Sequence, residues 1–401
     1  MSSKKMLRPA DRASALRVQQ TLKMARSAHA YVRGSTVQFY QWLQAQKRGT
    51  LPEGPPVWIC GDCHAGNLGP VASADGHVAI QIRDLDQTVI GNPAHDIIRL
   101  ALSLATASRG SDLPGVTTAH ILEQVIEGYQ AALRRDVEQV EDPPEAVTGA
   151  MKQSLARSWK TLARERIKNV KPTIPLGAKF WPLSASEKAS VKRLFEQAAL
   201  RHLAVSLRSR DDDAKVEVLD AAYWMKGCSS LGKLRMAVLC GVGEGKKLEF
   251  AIMDVKEAVA AAAPGYRHQK MPKDNAERVV EGALHLSPLL GKRMVAAKLG
   301  DHSVFVRELL PQDLKLEIEH LTMEEAMKSA NFLASVVGKA HGRQMDAASR
   351  KAWADDLENN RSKSLDAPSW LWSSVVSLIG SHETAYLEHC RKYANQVRPA
   401  V

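Results

Sequence analysis

Apolar and polar positions follow two different periods along this chain, and the switches between them mark its parts. Over Arg12–Ala30 and Thr36–Gln46 the pattern reads as helix. Pro55-Pro56 then opens a short apolar run, Val57-Trp58-Ile59, expected as a strand. Further on, Val78, Ile80 and Ile82 alternate with His77, Ala79 and Gln81, the period of a half-buried strand. Gly91-Asn92-Pro93 follow, with Asn92 as a helix N-cap and Pro93 in the first helical position. Ile97, Ile98, Leu100, Ala101 and Leu104 then predict an amphipathic helix. Residues 110–205 read as helical, including Ile121–Arg134 and Glu187–Leu207. From Val216 the pattern turns to strand: Leu234, Met236, Val238 and Cys240 alternate, Gly241–Gly245 make a turn, and Phe250 and Ile252 lead into Val255-Lys256-Glu257-Ala258. Asn275–Gly282 reads as helix, Ser303–Pro311 as a strand, and Met323–Gly342 as a helix with Phe332, Leu333, Val336 and Val337 in its apolar stripe. Beyond Ala347, Trp353, Trp370 and Trp372 are expected to anchor a helical tail in the core.

With 401 residues, 45% apolar and 25% charged, the chain can bury a sizeable core, and global disorder is not expected. No run of eighteen apolar residues suggests a membrane span, and the basic N-terminus lacks the apolar region of a secretory signal. A cytoplasmic protein is expected. The net charge of +11 attracts polyanions, but the cations are spread along the chain and no nucleic-acid-binding signature stands out. Arg157, Lys160, Arg164, Arg166, Lys168 and Lys171 make one basic run, either a solvated face or a site for an anionic acceptor. Five cysteines, an odd number in a chain without an export signal, argue against a disulfide framework.

The stretch Cys60-Gly61-Asp62-Cys63-His64-Ala65-Gly66-Asn67 carries the chemistry. Its C-x-x-C-H reading, covalent haem, fails because such attachment follows export. A zinc reading lacks a second cysteine pair. Its G-D-x-H-x-x-N reading fits phosphoryl transfer. The strand 78–82 delivers Asp84 and Asp86, so two acidic clusters meet at one end of a small sheet. One carboxylate orients the attacking hydroxyl, while a carboxylate and an amide hold magnesium on the phosphates. Asp62, Asn67 and Asp84 supply such groups, with Asp86 assisting and His64 counted beside Asp62 as a catalytic candidate.

The order G-D-x-H-x-x-N, strand, D, then G-x-P-x-x-D resembles the aminoglycoside phosphotransferase and choline kinase branch of the protein-kinase-like fold. The resemblance implies that Asp62 is the catalytic base, Asn67 and Asp84 the metal ligands, and Asp96 a helix carboxylate bracing the loop. Two positions depart from the branch: Cys60 stands where it has His, and Asn92 where it has Asp.

Only about sixty residues precede the loop, too few for a nucleotide lobe, which is expected downstream instead. Gly227 and Gly232 flank Cys228-Ser229-Ser230-Leu231. A Walker A reading of Gly227–Lys233 fails, since Leu234 replaces the magnesium-binding Ser or Thr and a strand follows. A glycine-rich hairpin over phosphates fits better, with Ser229 or Ser230 meeting the anion. Lys256 then reaches the phosphates; the following helix offers Glu277 and Glu281 on one face as its partner, Glu281 favoured, and Glu308-Leu309 lie in a hinge that bonds the adenine.

This order resembles a circular permutation of the kinase-like arrangement and is similar to the bacterial domain-of-unknown-function family 2252. Arg33-Gly34, the loop through Gly69, Asp84-Leu85-Asp86, Val255–Ala258, Arg278–Gly282 and Lys339–Arg343 carry the likeness over roughly residues 23–345. It implies a bilobal α+β protein-kinase-like fold in circularly permuted order. Residues 1–210 hold the N-terminal helices, the catalytic loop and a large helical part, 211–312 a small antiparallel-sheet nucleotide lobe, and 313–401 returning helices, with Asp211-Asp212-Asp213 as linker. The expected function is an ATP- (or other NTP-) and Mg2+-dependent phosphotransferase acting on a small hydroxylated molecule. Nucleotidyl transfer, a nucleotide-binding pseudoenzyme and a non-enzymatic nucleic-acid-binding protein are the alternatives. The acceptor and the oligomeric state are not readable.

Overall fold

A computed structural model of the protein describes residues 11–109, 116–135, 143–145, 147–148, 172–207, 210–226, 232–266, 268–310, 322–359 and 367–393. The basic run 157–171 and Pro311 lie outside these residues. Among the described residues the fold is mixed α+β, with twelve α-helices, a six-stranded antiparallel sheet and two two-stranded sheets. The strands are β1 (Val57–Ile59), β2 (Leu68–Ala72), β3 (Val78–Ile82), β4 (Val89–Gly91), β5 (Phe180–Pro182), β6 (Val216–Trp224), β7 (Arg235–Val242), β8 (Glu249–Glu257), β9 (Met294–Leu299) and β10 (His302–Glu308). The helices are α1 (Arg12–Met24), α2 (Ala28–Gly34), α3 (Thr36–Gln44), α4 (Ala94–Arg109), α5 (Val116–Arg134), α6 (Ala185–Leu194), α7 (Ala198–Val205), α8 (Asn275–Leu286), α9 (Pro288–Gly291), α10 (Met323–Gly342), α11 (Ala347–Asn359) and α12 (Ser369–Tyr393). Among the described residues no helix is long and apolar enough to cross a membrane.

The large sheet has the order β5-β6-β7-β8-β10-β9. Hairpins join β6 to β7 and β7 to β8, while α8 and α9 interrupt the chain between β8 and β9, so β10 takes the place beside β8. One face of the sheet packs on α6 and α7 through Val191, Leu194, Leu203, Met236, Val238, Met253 and Val255. Residues 181–205 and Leu16 therefore join the sheet's core rather than the helical part to which the sequence assigned them. On strand β8, Phe250, Ile252, Asp254 and Lys256 share the opposite face, since side chains alternate along a strand. Phe250 and Ile252 pack there around Ala237, Leu239 and Ile174.

A larger core unites the two small sheets with α4, α5, α8, α10, α11 and α12. Helices α5 and α10 approach most closely at glycines: a Cβ at Gly128 would lie 2.1 Å from the Asn331 carbonyl oxygen. Trp353 and Trp370 are buried and Trp372 packs against the same core, as expected of anchors. Two expected helices are each broken in two. Arg12–Ala30 divides where Ser27, in extended backbone, caps α2 by accepting from the Ala30 N–H. Glu187–Leu207 divides at Phe195–Gln197, where Gln197 leaves helical geometry. Local capping chemistry interrupts a helical pattern that the apolar spacing alone continues.

Candidate functional site

The loop between β1 and β2 is held from below by one turn of α4. Asp96 is completely buried and accepts the Cys60 N–H at 2.7 Å on Oδ2 and the Gly61 N–H at 2.9 Å on Oδ1. Three residues on, Arg99 is equally buried and donates twice to Asp62 Oδ1, from Nε at 3.0 Å and Nη2 at 2.8 Å. Spacing of three places both side chains on one helix face, so Asp96 and Arg99 grip three successive loop residues. His341 of α10 lies 3.3 Å from Asp96 and 2.9 Å from the Tyr129 hydroxyl. It is a buried packing residue of the brace. The Tyr40 hydroxyl donates to the Gly61 carbonyl at 2.6 Å. Gly61 itself has φ +74°, and a Cβ there would meet the Gln87 carbonyl oxygen at 2.2 Å, so only glycine fits.

Asn67 closes the loop. Its Nδ2 donates to the Asp62 backbone carbonyl at 2.9 Å, and its own carbonyl accepts from the Arg83 N–H at 2.7 Å. The β2–β3 ladder, with Leu68 opposite Ile82, thus sets Asn67 beside the start of the acidic tip. Burial raises the Asp62 pKa despite the opposing charge of Arg99. Burial, and then the charges of Arg33 and Arg99, hold His64 well below its ordinary range. Cys60 and Cys63 are free and wholly buried in the core.

Lys256 joins the large sheet to the acidic tip after β3. Its amine lies 3.0 Å from Asp84 Oδ1 and 2.6 Å from Asp86 Oδ2, across 172 residues of sequence for the first pair. Burial pushes Asp84 up, but Lys256, a hydrogen bond from Asp86 and the charge of Arg235 outweigh it and hold the group well below the usual carboxylate range. Burial and the Asp84 charge push Asp86 up to about 6. Asp86 Oδ1 is buried without a hydrogen-bond partner. Behind Lys256 on the same sheet face, Arg235 binds Asp254 through two bonds, 2.8 and 2.5 Å. Arg307 lies 3.6 Å from Asp254 and donates to the Arg83 carbonyl at 3.0 Å.

Several expected partners are not brought together. Glu281 is half exposed and pairs with His285 at 3.2 Å, not with Lys256. The side chain of α8 that reaches the site is Arg278, which donates to the backbone carbonyls of Thr88, Asp86 and Val259. At the expected hinge, Glu308 and Leu309 are engaged within the fold. The Leu309 N–H is spent on the Ile252 carbonyl at 2.9 Å, and Glu308 is buried in a two-bond ion pair with Arg210, both bonds 2.8 Å. The Glu308 carbonyl accepts from Arg293 at 3.2 Å. Gly227, Ser229 and Ser230 lie outside the described residues, while Gly232 ends the hairpin connection with φ +99°.

Asn92 does cap α4, its Oδ1 accepting from the Ala94 N–H at 3.0 Å. Its amide also donates to the Pro52 carbonyl at 2.8 Å, a bond that Asp in its place cannot donate. Sequence reading gave Arg99, Arg278 and Arg235 no place in the site. Arg99 had a signal, a lone cation within the apolar run Ile97–Leu104.

Among the described residues no three His, Cys, Asp or Glu side chains gather as a metal site. The oxygens at hand are those of Asp84, Asp86 and Asn67, two carboxylates and an amide. That set suits magnesium, a hard ion that keeps several waters and takes one or two carboxylates plus phosphate oxygens. The unpartnered Asp86 Oδ1 is a donor of the required kind.

The family described as an uncharacterized protein conserved in bacteria (DUF2252) matches residues 12–392, and the chain belongs to it. Comparison with curated proteins and with solved structures finds no match.

Proposed function

We propose that the protein is an ATP- and magnesium-dependent phosphotransferase of permuted kinase-like fold acting on a small hydroxylated molecule. The observation that carries this reading is the meeting of Lys256 with Asp84 and Asp86. A strand lysine that positions phosphates and an acidic tip that binds their magnesium must share one site in this chemistry. Here two segments far apart in sequence meet beside a loop whose Asn67 is tied to the Asp62 backbone. The strand order supports it further, with a hairpin, the lysine near the end of the next strand, then a helix packed against the site.

In this reading Asp62 orients the acceptor hydroxyl and receives its proton, burial raising its pKa and so its basicity. Arg99 engages only Oδ1, which fixes the carboxylate's orientation. Lys256 holds the phosphates, and Asp84, Asp86 and Asn67 would hold the magnesium. The metal, when bound, supplies neutralisation of the charge that develops on the transferred phosphoryl group. Phe250, Ile252 and Leu239 give the same sheet face an apolar surface suited to a base.

Thermal shift with ATP, with and without magnesium, on wild type, Asp84→Ala and Lys256→Ala tests this. A ligand at one hundred times its Kd adds about 2.7 kcal/mol of stability. A magnesium-dependent shift in the wild type that both variants lose is expected. No shift with any nucleotide would sink the reading.

A further inference from the structure

Arg33, in the last turn of α2, lies against the catalytic loop with its charge unanswered. A Cβ at Gly66 would stand 3.0 Å from Arg33 Cζ and 3.1 Å from its Nη2. Glycine at 66 is what lets the guanidinium come so near the loop. Arg33 Nε is buried and bonded to nothing, and among the described residues no acidic side chain pairs with it. His64 converges on the same point. Its Cε1 lies 3.2 Å from that Cβ position, its Nδ1 is buried without a partner, and the residue is 4% exposed.

Unpaired buried nitrogens are costly, and native structures seldom keep them without a reason. Two lie together here, one of them on His64, two residues from Asp62. Arg33 and Gly66 are only partly buried, so this side of the loop is reached by solvent. Asp62, the nearest carboxylate along the loop, is already paired with Arg99. A guanidinium fork matches a carboxylate or phosphate in two parallel bonds, and a neutral imidazole adds one N–H donor.

We propose that Arg33 and His64 form an oxyanion subsite, so that the acceptor carries a carboxylate or phosphate group beside its hydroxyl. The word acceptor rests on the phosphotransferase reading; the subsite rests on Arg33, Gly66 and His64 alone.

Calorimetric titration of the full chain with inorganic phosphate and, separately, acetate tests it, with and without saturating MgATP. Wild type, Arg33→Lys and Arg33→Gln are compared. Arg33→Gln is expected to weaken binding of the preferred anion at least about tenfold, the loss of one charge-assisted bond. Arg33→Lys keeps part of the affinity. Whichever anion binds tighter identifies the acceptor's group. Anion binding should persist under MgATP, because the subsite is not the Lys256 site. Circular dichroism and an unchanged MgATP thermal shift show that Arg33→Gln is folded. Unchanged affinity in a folded Arg33→Gln, anion binding displaced by MgATP, or no anion binding in the wild type overturns the subsite. If MgATP never binds while Arg33→Gln still loses the anion, the phosphotransferase reading falls and the subsite stands.

Discussion

Replacing Lys256 by Met keeps most of the aliphatic stem and removes the ammonium. Lys256 is 3% exposed, and its Nζ is 2.6 Å from Asp86 and 3.0 Å from Asp84. Breaking a buried ion pair from one side costs about 3–5 kcal/mol. The Asp84 side chain is 40% exposed and relieved by solvent, so most of the cost falls on Asp86, at 12%, and the lower figure of about 3 kcal/mol applies at pH 8. The sign with pH follows from linkage. Asp86 stands at about 6 in the fold against 3.8 for the free group. A carboxyl raised by folding contributes stability when protonated; that contribution is complete below the unfolded value and is lost as pH rises through the folded one. Removing Lys256 raises Asp86 further. The deficit against wild type is therefore largest at pH 8 and shrinks to about 1 kcal/mol by pH 5, where the pair shares a proton. Denaturant unfolding of both proteins at the two pH values measures it. A deficit that is the same at pH 5 and pH 8, or below about 1 kcal/mol at both, would refute the charge argument.

Asp96→Asn leaves one acceptor for two buried N–H groups and should cost about 1.5–3 kcal/mol, with faster hydrogen exchange in peptides spanning Cys60 and Gly61; unchanged exchange there would speak against the brace. Arg99→Leu strands the Asp62 carboxylate and should cost about 3–5 kcal/mol near neutral pH, and Arg99→Lys should recover little because a single ammonium cannot make both bonds to Oδ1. Gly128→Ala places a Cβ on the Asn331 backbone at 2.1 Å. It should force α5 and α10 apart, lowering stability by about 3 kcal/mol, read as a drop in Tm.

Much of the local structure was legible. The strand expected at 78–82 is Val78–Ile82, and the helix expected at Met323–Gly342 has those ends, its start set by a capping box of Thr322 and Glu325. Asn92 caps its helix, and Asp96 braces the loop as the resemblance implied. These features depend on neighbours within a few positions, or on a spacing repeated along one element, so the order of residues contains them. The pairings across the molecule were not legible in that way. Lys256 reads equally well as a partner for Glu281, Asp84 or solvent, and only the turn of α8 decides, presenting Arg278 to the acidic tip and Glu281 to His285. Glu308-Leu309 reads as an open hinge until β8 takes the Leu309 N–H and Arg210 takes the Glu308 carboxylate. Arg33 and His64 lie thirty-one positions apart by number, and no periodicity relates them. By itself the sequence determined the loop between β1 and β2, its cap and the strand and helix that flank it. The tertiary structure decided which charges face each other, because ion pairs form wherever packing brings side chains within a few ångströms, and packing answers to the apolar faces of whole elements rather than to the charges they carry.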